Sequence, residues 1–150
     1  MSLQRLFYTS RIVDTEARRG EALAREIAEQ SAIRNAACGL TGSLVYIDDH
    51  FMQVIEGEES AVEITFERIC RDFRHYDVKL IDLQLIPSRQ FATWGMACLI
   101  AERESSPVRR EVLSEIRLTA GLNARQAIEQ IRAMLDERDK SDAVAALISS

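Results

Sequence analysis

An α+β domain is predicted by three features of the sequence: alternating strand-like and helix-like segments, a hairpin in the first half, and a helical C-terminal third. The predicted order is strand, helix, strand, strand, helix, strand, strand. This order is that of a ferredoxin-like βαββαββ sandwich, in which both helices cover one face of the sheet. We expect the additional C-terminal helices to pack on the sheet as well.

The first strand and the first helix are predicted from a change in hydrophobic period. Residues 3–10 (LQRLFYTS) alternate apolar and polar side chains, which is typical of a strand. Residues 16–37 follow a helical pattern, with Asp14 and Thr15 as candidate caps and Gly39 as the residue that ends the helix. A spacing of four places one set of side chains on a common helix face: Leu23, Ile27, Ser31 and Asn35.

A hairpin is predicted from two strand-like runs, residues 42–47 (GSLVYI) and 51–56 (FMQVIE), joined by a turn at 48–50 (DDH). Ser60 and Glu63 have the spacing of a capping box, which predicts the start of a second helix. The apolar face of that helix is expected to contain Val62, Phe66, Ile69 and Phe73.

Two further strands are predicted at residues 79–87 and 94–100. They complete the sheet, so we assign residues 1–102 to one domain. Residues 103–150 are assigned to a C-terminal helical cap or output segment that is not an independent domain, because no linker or repeat separates it from the sheet.

The C-terminal segment has helical patterns at about 107–118 and 123–139, with a short helical piece at 142–148. Its apolar stripe consists of Ile128, Ile131, Met134 and Leu135. The stripe is expected to cover the second face of the sheet, which would otherwise be exposed. A dimer or partner interface is the alternative, and the two interpretations are compatible.

The composition excludes several classes of protein. The chain has 150 residues, 47% of them hydrophobic, which suits one domain with a sizeable core. Its net charge of -5 opposes binding to the negatively charged backbone of nucleic acids. No run approaches the roughly 20 apolar residues of a membrane span, and the N-terminus lacks a signal-peptide pattern. Cys38, Cys70 and Cys98 are isolated in apolar runs, so buried free thiols in a reducing cytoplasm are expected.

The sequence contains no strong enzyme motif. His50 and His75 lack metal-ligand spacing, and no nucleophile elbow, P-loop or dinucleotide fingerprint is present. GLTG at residues 39–42 matches the GXXG loop of KH domains, but two glycines at that spacing are a weak signal in an acidic chain. Hydrolysis or group transfer therefore has no evident nucleophile and base.

Three polar side chains in otherwise apolar elements are candidates for ligand binding: Tyr8, Asn35 and Gln53. A buried Gln without hydrogen-bond partners costs about 1–3 kcal/mol, although backbone groups alone could satisfy it. The amides offer both donors and acceptors, which suits a flat heterocycle such as a flavin ring. The helix faces that carry Ile27 and Ile69 could enclose such a ring.

Five short stretches, in matching order and spacing, resemble the BLUF (blue-light-using flavin) domain family over about residues 3–100. They are Y-T-S at 8–10, N-A-A-C-G-L-T-G at 35–42, F-M-Q-V-I-E-G at 51–57, D-F-R-H at 72–75 and R-Q-F-A-T-W-G-M at 89–96. The resemblance implies an oxidised flavin bound without a covalent bond, with FAD the first choice and FMN or riboflavin the alternatives.

The resemblance also implies roles for the polar trio and its neighbours. Tyr8 would be the photochemical electron and proton donor, and Gln53 would bridge Tyr8 to flavin N5 and O4. Asn35 would hold the polar edge of the pyrimidine ring, with Ile27 and Ile69 on the ring faces.

Two further groups of residues take roles from the resemblance. Trp94 and Met96 would share a face of the last strand beside Gln53 and relay the signal. The ribityl and phosphate tail would be bound by weaker candidates, namely Arg34, Arg68, Arg74 and His75.

The function implied by the resemblance is a blue-light photoreceptor without catalytic turnover. Light would rearrange the hydrogen bonds of Tyr8 and Gln53, and the signal would pass to a separate partner protein or to a change of assembly in a homo-oligomer. Two alternatives remain from the residues alone. One is a ferredoxin-like ligand-binding or interaction domain without a chromophore, and the other is a small acylphosphatase-like hydrolase.

Overall fold

The computed structural model describes residues 2–12, 17–103 and 106–149. Its strands and helices follow one another in the predicted order. The strands are β1 (Leu3–Ile12), β2 (Thr41–Ile47), β3 (His50–Glu58), β4 (His75–Ile86) and β5 (Ala97–Ile100). The helices are α1 (Ala17–Cys38), α2 (Glu59–Cys70), α3 (Pro107–Thr119) and α4 (Ala124–Ser149), with a 3-10 turn at Ala101–Arg103.

The five strands form one mixed sheet in the order β4-β1-β3-β2-β5. β1 pairs antiparallel with β3 and β4, β2 pairs antiparallel with β3, and β5 runs parallel to β2. The predicted α+β, ferredoxin-like plan is therefore confirmed, with β5 added at one edge.

The sheet has two apolar faces, which are named here by the helices that cover them. On the α1/α2 face, two buried clusters join strand residues such as Leu6, Tyr8 and Leu44 to both helices. On the α3/α4 face, Phe7, Val45 and their neighbours pack against the C-terminal helices. The predicted stripe is part of this second layer, and its members are all buried: Ile128, Ile131, Met134 and Leu135.

Local geometry explains the two tight connections next to β2. α1 ends at Gly39, whose φ of 69° suits a residue without a Cβ, and the N–H of Leu40 donates to the carbonyl of Asn35 at 3.0 Å. The β2–β3 turn has two residues, Asp48 and Asp49, both with positive φ. Such a turn matches the twist of the flanking strands, so β3 begins at His50, one residue earlier than predicted.

Two strands differ in extent from the prediction. β4 begins at His75 rather than at residue 79, because it pairs with an extended β1 as far as Ile12. β5 begins at Ala97 rather than at residue 94, because it pairs only with residues Ser43 to Tyr46 of β2. Residues 87–96 therefore form an irregular segment before β5, which we call the β4–β5 loop.

Three predictions for the helices are wrong. The capping box at Ser60 is absent, because β3 runs directly into α2 and the N–H of Glu59 donates to the carbonyl of Ser2 at 3.1 Å. Phe73 lies beyond α2 and is 92% exposed. The predicted break before residue 142 does not occur, since α4 is continuous to Ser149. The candidate caps Asp14 and Thr15 lie outside the described residues.

The expected burial of the cysteines is also wrong. Cys38 and Cys70 are exposed at the ends of α1 and α2, and Cys98 on β5 is half-buried. Within the described part of the chain, no helix combines the length and apolar character that a membrane crossing requires.

Candidate functional site

A cleft lies between α1, α2 and the face of the sheet that they cover. It encloses about 660 Å³ of space outside the atoms, including the part open to solvent. Its lining contains ten of the eleven predicted site residues, namely Tyr8, Ile27, Arg34, Asn35, Gln53, Arg68, Ile69, Arg74, His75 and Met96.

The floor of the cleft contains a chain of hydrogen bonds that links three elements. Tyr8 on β1 lies directly opposite Gln53 on β3, so both side chains project to the α1/α2 face. The Tyr8 hydroxyl donates to Gln53 Oε1, and Gln53 Nε2 donates to Met96 Sδ at 3.4 Å. All three residues are buried, so one amide connects the phenol to the β4–β5 loop.

Tyr8 is held in its neutral form. Burial raises the pKa of its phenol well above the ordinary value, and nearby Asp72 and Cys70 raise this pKa further. The ring packs at a tilt against Phe66, with 5.7 Å between ring centroids. The phenol therefore keeps the proton that it donates to Gln53 Oε1.

Asn35 connects α1 to the β4–β5 loop. Its carbonyl accepts the bond that ends the helix, and its side-chain Nδ2 donates to the carbonyl of Gly95 at 2.6 Å. The side chain is buried and lines the cleft. Asn35 therefore fixes the loop one residue before Met96.

The cleft has apolar walls. Ile27 on α1 and Ile69 on α2 both line it, each half-buried, as the sequence predicts for residues on facing helices. Leu44 and Ile55 add apolar surface from the sheet. A flat apolar ring fits between such walls, because its faces would replace water.

The cationic residues at the rim divide into two groups. Arg34 and Arg68 are exposed at the cleft, where a phosphate could reach them. Arg74 instead donates to both carboxylate oxygens of Asp72, with distances from 2.6 to 3.0 Å, and lowers the pKa of that carboxyl. With three guanidinium groups against one carboxylate, these four residues have an excess of positive charge, which suits an anionic group.

His75 holds the fold together beside the cleft. Its Nδ1 lies 2.7 Å from Ser10 Oγ, and its Nε2 lies 2.7 Å from the carbonyl of Ile69. Both ring nitrogens thus have partners in β1 and α2. Its expected contact with a phosphate tail would have to replace one of these bonds.

Trp94 and Met96 lie on opposite sides of the sheet, so the expectation that they share a strand face is wrong. Met96 contacts Gln53 on the α1/α2 face. Trp94 packs on the α3/α4 face against Phe91, with 6.0 Å between ring centroids, and its Nε1 donates to Asp139 Oδ2 on α4 at 2.9 Å. Both residues precede β5, where the strand alternation does not apply.

Sequence reasoning missed Glu56 as a residue that positions this loop. Its carboxylate is fully buried and accepts bonds from Arg5 Nε at 2.9 Å and from the backbone N–H groups of Gln90 at 3.1 Å and Phe91 at 2.6 Å. The sequence does contain a signal for a buried, bonded carboxylate, because Glu56 is a charged residue in the same apolar run as Gln53.

The fold and the cleft define an α+β domain with a small-molecule cleft, and the comparison with protein families identifies its family. The family model for BLUF, described as sensors of blue-light using FAD, matches residues 3–97, so the chain belongs to the BLUF family. Its members use a flavin, FAD, as the chromophore. No comparison supports the chromophore-free domain or the hydrolase.

Curated relatives match the same part of the chain. The chain is 34% identical over 97 residues to the blue light- and temperature-regulated antirepressor BluF of Escherichia coli (strain K12), covering 63% of this chain and 23% of the relative. It is 33% identical over 95 residues to photoactivated adenylate cyclase subunit beta of Euglena gracilis, covering 63% of this chain and 11% of the relative. The chain thus spans less than a quarter of each relative.

Two solved structures match nearly the whole fold. BlrB, a BLUF protein in its dark state, has a TM-score of 0.71 and 30% identity, covering 89% of this chain and 97% of that chain. BlsA in its photo-activated state has a TM-score of 0.73 and 25% identity, covering 87% and 94%. The curated relatives align with only 63% of the chain, whereas these two structures match 89% and 87% of it. The structural matches therefore include part of the C-terminal helical segment.

Proposed function

We propose that this chain senses blue light through FAD bound without a covalent bond in the cleft, with Tyr8 and Gln53 as its photochemical pair. The observation that carries the proposal is the hydrogen-bond chain from Tyr8 through Gln53 to Met96. FMN and riboflavin are the alternative ligands, because they share the ring and differ only in the tail.

The residues present fit such a ligand. Ile27 and Ile69 would pack on the ring faces, while the amides of Asn35 and Gln53 would bind its polar edge. A phosphate-bearing tail would reach the rim, where three guanidinium groups lie. The candidates there are Arg34, Arg68 and Arg74, with His75 weaker because both of its ring nitrogens have partners.

Tyr8 is suited to give up an electron together with a proton. The bound oxidised flavin supplies absorption of blue light and an excited state that accepts an electron. Tyr8 is a neutral phenol in a buried site, and its proton already points along a hydrogen bond to Gln53 Oε1. Loss of the electron makes the phenol strongly acidic, so the proton leaves along this bond.

Gln53 is the switch in this proposal. Its carboxamide has an acceptor and a donor on opposite sides, with Oε1 toward Tyr8 and Nε2 toward Met96. Rotation by half a turn, or a change of tautomer, exchanges the groups that the two neighbours meet. One side chain thereby provides the two states that a light switch requires.

The β4–β5 loop is the proposed relay from the switch. Met96 contacts Gln53 on one face of the sheet, and Trp94, two residues earlier, binds Asp139 of α4 on the other face. A change at Gln53 therefore has a short path to the C-terminal helices, made of two hydrogen bonds joined by the backbone of residues 94–96. We propose that residues 103–150 form an output segment of the same domain rather than an independent one.

The output is proposed to be a binding event without catalytic turnover in this domain. Among the described residues that line the cleft, Tyr8 is buried and His75 has partners on both ring nitrogens, so neither is an exposed nucleophile or a free base. A partner protein in trans or a change in a homo-oligomer would read the signal. Unpaired thiols at Cys38 and Cys70 are in keeping with a reducing compartment such as the cytoplasm.

The visible absorption spectrum of purified full chain, before and after blue light, tests the proposal. We expect a yellow protein with a small, reversible red shift of the flavin bands. A colourless protein that takes up no added FAD, FMN or riboflavin would refute it.

Hydrogen exchange in the dark and in light tests the output segment. We expect altered protection in α4 around Asp139 as well as around Gln53 and Met96. If protection in residues 106–149 and the assembly state stay constant while the cleft changes, the segment is a passive cap.

A further inference from the structure

β4 is a long edge strand with an apolar surface. It contains 12 residues, and among the described residues only β1 is hydrogen-bonded to it, so its other side presents unpaired backbone groups. Three of its leucines are exposed: Leu80 by 47%, Leu83 by 45% and Leu85 by 65%. A long, apolar edge strand is a surface on which another strand pairs.

The side chains of β4 alternate between the two faces except at two irregularities in its pairing with β1, a bulge opposite Phe7 and Tyr8 and a second one opposite residues 9–11. Leu80 lies opposite Tyr8 and Leu83 opposite Leu6, which places both leucines on the α1/α2 face. Asp82 lies opposite Phe7, and Ile81 packs in the same cluster as Phe7. Residues 81 and 82 therefore both project to the α3/α4 face, and the alternation restarts after them.

We propose that two copies of this chain associate by antiparallel pairing of β4 with β4, with Leu80 of one copy opposite Leu83 of the other. The occupant of the edge is thus a second copy of the same chain. An antiparallel strand pair is isologous, so it closes a dimer about a two-fold axis. The surface is separate from the cleft, and the inference does not depend on the proposed function.

The bulge selects this register. When the two-fold axis passes through the bulge at Ile81 and Asp82, these two residues lie opposite each other and Val78 lies opposite Leu85, so the pairs from residue 78 to residue 85 join residues of the same face. An axis elsewhere on the strand keeps the faces matched over a shorter stretch, for example only residues 75–80 when it passes through the second irregularity.

Backbone hydrogen bonding agrees with the same register. The β1 partners of Leu80 and Leu83 are Tyr8 and Leu6, which are two residues apart on a regular strand. Leu80 and Leu83 therefore have the same orientation of their N–H and C=O groups relative to β1. Residues that face each other in an antiparallel pair must share this orientation.

Charge complementarity favours a second copy over an arbitrary partner. In this register the α1/α2 face carries a row of apolar pairs, Leu80 with Leu83 and Val78 with Leu85, each formed twice by symmetry. On the other face, Lys79 lies diagonally next to Asp82 of the second copy, again twice. Lys79 is largely exposed, and its ion pair with Asp77 at 3.6 Å is also exposed, so it can reach this carboxylate.

Analytical ultracentrifugation of the full chain over a range of concentrations tests the pairing. We expect a concentration-dependent dimer, and Leu83→Lys should raise its Kd by roughly tenfold or more, because it places a charge in the apolar row. Leu122→Lys is the matched control, since Leu122 is 89% exposed at the turn between α3 and α4 and should leave the Kd unchanged. Circular dichroism of each variant checks that it is folded.

A charge exchange tests the register. Lys79→Glu and Asp82→Lys should each weaken the dimer by roughly threefold, and the double exchange should restore it, because the diagonal pair is re-formed with reversed sign. A chain that remains monomeric at all concentrations would overturn the proposal. So would a dimer that Leu122→Lys weakens as much as Leu83→Lys, or a double exchange that remains as weak as the single ones.

Discussion

Replacement of Glu56 by alanine is expected to destabilise the chain strongly and to loosen the β4–β5 loop. The Glu56 carboxylate is fully buried and accepts three hydrogen bonds, one from Arg5 and two from the loop backbone at Gln90 and Phe91. The alanine variant removes all three and leaves the Arg5 guanidinium, with 9% of its side chain exposed, without its carboxylate.

The size of the effect follows from the burial of the pair. Removal of one partner of a buried ion pair typically costs about 3–5 kcal/mol of unfolding free energy, because the remaining charge is left desolvated. A domain of this size has a total of about 5–15 kcal/mol. At about 2–4 °C per kcal/mol, the melting temperature should fall by roughly 6–20 °C.

Urea unfolding followed by circular dichroism measures the change in unfolding free energy. Glu58→Ala is the matched control, because Glu58 is exposed at the end of the same strand and should change stability by about 0.5 kcal/mol or less. Trp94 is the only tryptophan, so a red shift of its emission in Glu56→Ala would report a loosened loop.

A double variant separates the buried charge from the lost hydrogen bonds. Glu56→Ala with Arg5→Met removes both charges and should be more stable than Glu56→Ala alone. A loss below about 1 kcal/mol for Glu56→Ala, together with unchanged Trp94 emission, would show that Glu56 does not anchor the loop.

The remaining predictions concern the photochemical pair. Tyr8→Phe should bind flavin but lose the normal light-induced shift, because the ring volume is kept and the hydroxyl is removed; an unchanged shift measured by difference spectroscopy would exclude Tyr8 as the donor. Gln53→Leu should remain yellow without the normal red shift, since leucine cannot bridge Tyr8 and the flavin, and a full shift at normal yield would locate the switch elsewhere. Because the pKa of Tyr8 is raised in the folded chain, unfolded Tyr8 loses its proton above about pH 10 while folded Tyr8 keeps it. The unfolding free energy should therefore fall as the pH rises above about 10. The fall should be steeper in the wild type than in Tyr8→Phe, by up to about 1.4 kcal/mol per pH unit. If denaturant titrations show the same dependence of the unfolding free energy on pH in the wild type and in Tyr8→Phe, this assignment is contradicted.

Local patterns in the sequence determined which segments form strands and helices. The alternation in β1 and β3 placed Tyr8 and Gln53 on one face, and the four-residue repeat in α1 placed Ile27 and Asn35 on its inner side. These patterns work because the side-chain period of a strand or helix is set by its own backbone geometry. Gly39 was predictable for the same reason, since the end of a helix favours a residue that accepts positive φ.

Interactions between distant segments decided what the patterns could not. β4 begins four residues early because β1 extends to meet it, and α2 begins without a side-chain cap because Ser2 supplies the hydrogen bond. Cys38 and Cys70 are exposed although they stand in apolar runs, since they lie at the ends of their helices. For β4 and α2 the deciding partner is outside the local window of sequence.

The sequence by itself determined the α+β order and the family, because each depends on short motifs in a fixed order. Only the tertiary structure decided that Met96 faces Gln53 while Trp94 faces α4. The two residues stand in an irregular loop, where no backbone period assigns a face. The loop is held by Asn35 and Glu56, which lie about 60 and 35 residues away in sequence, so its geometry depends on long-range hydrogen bonds.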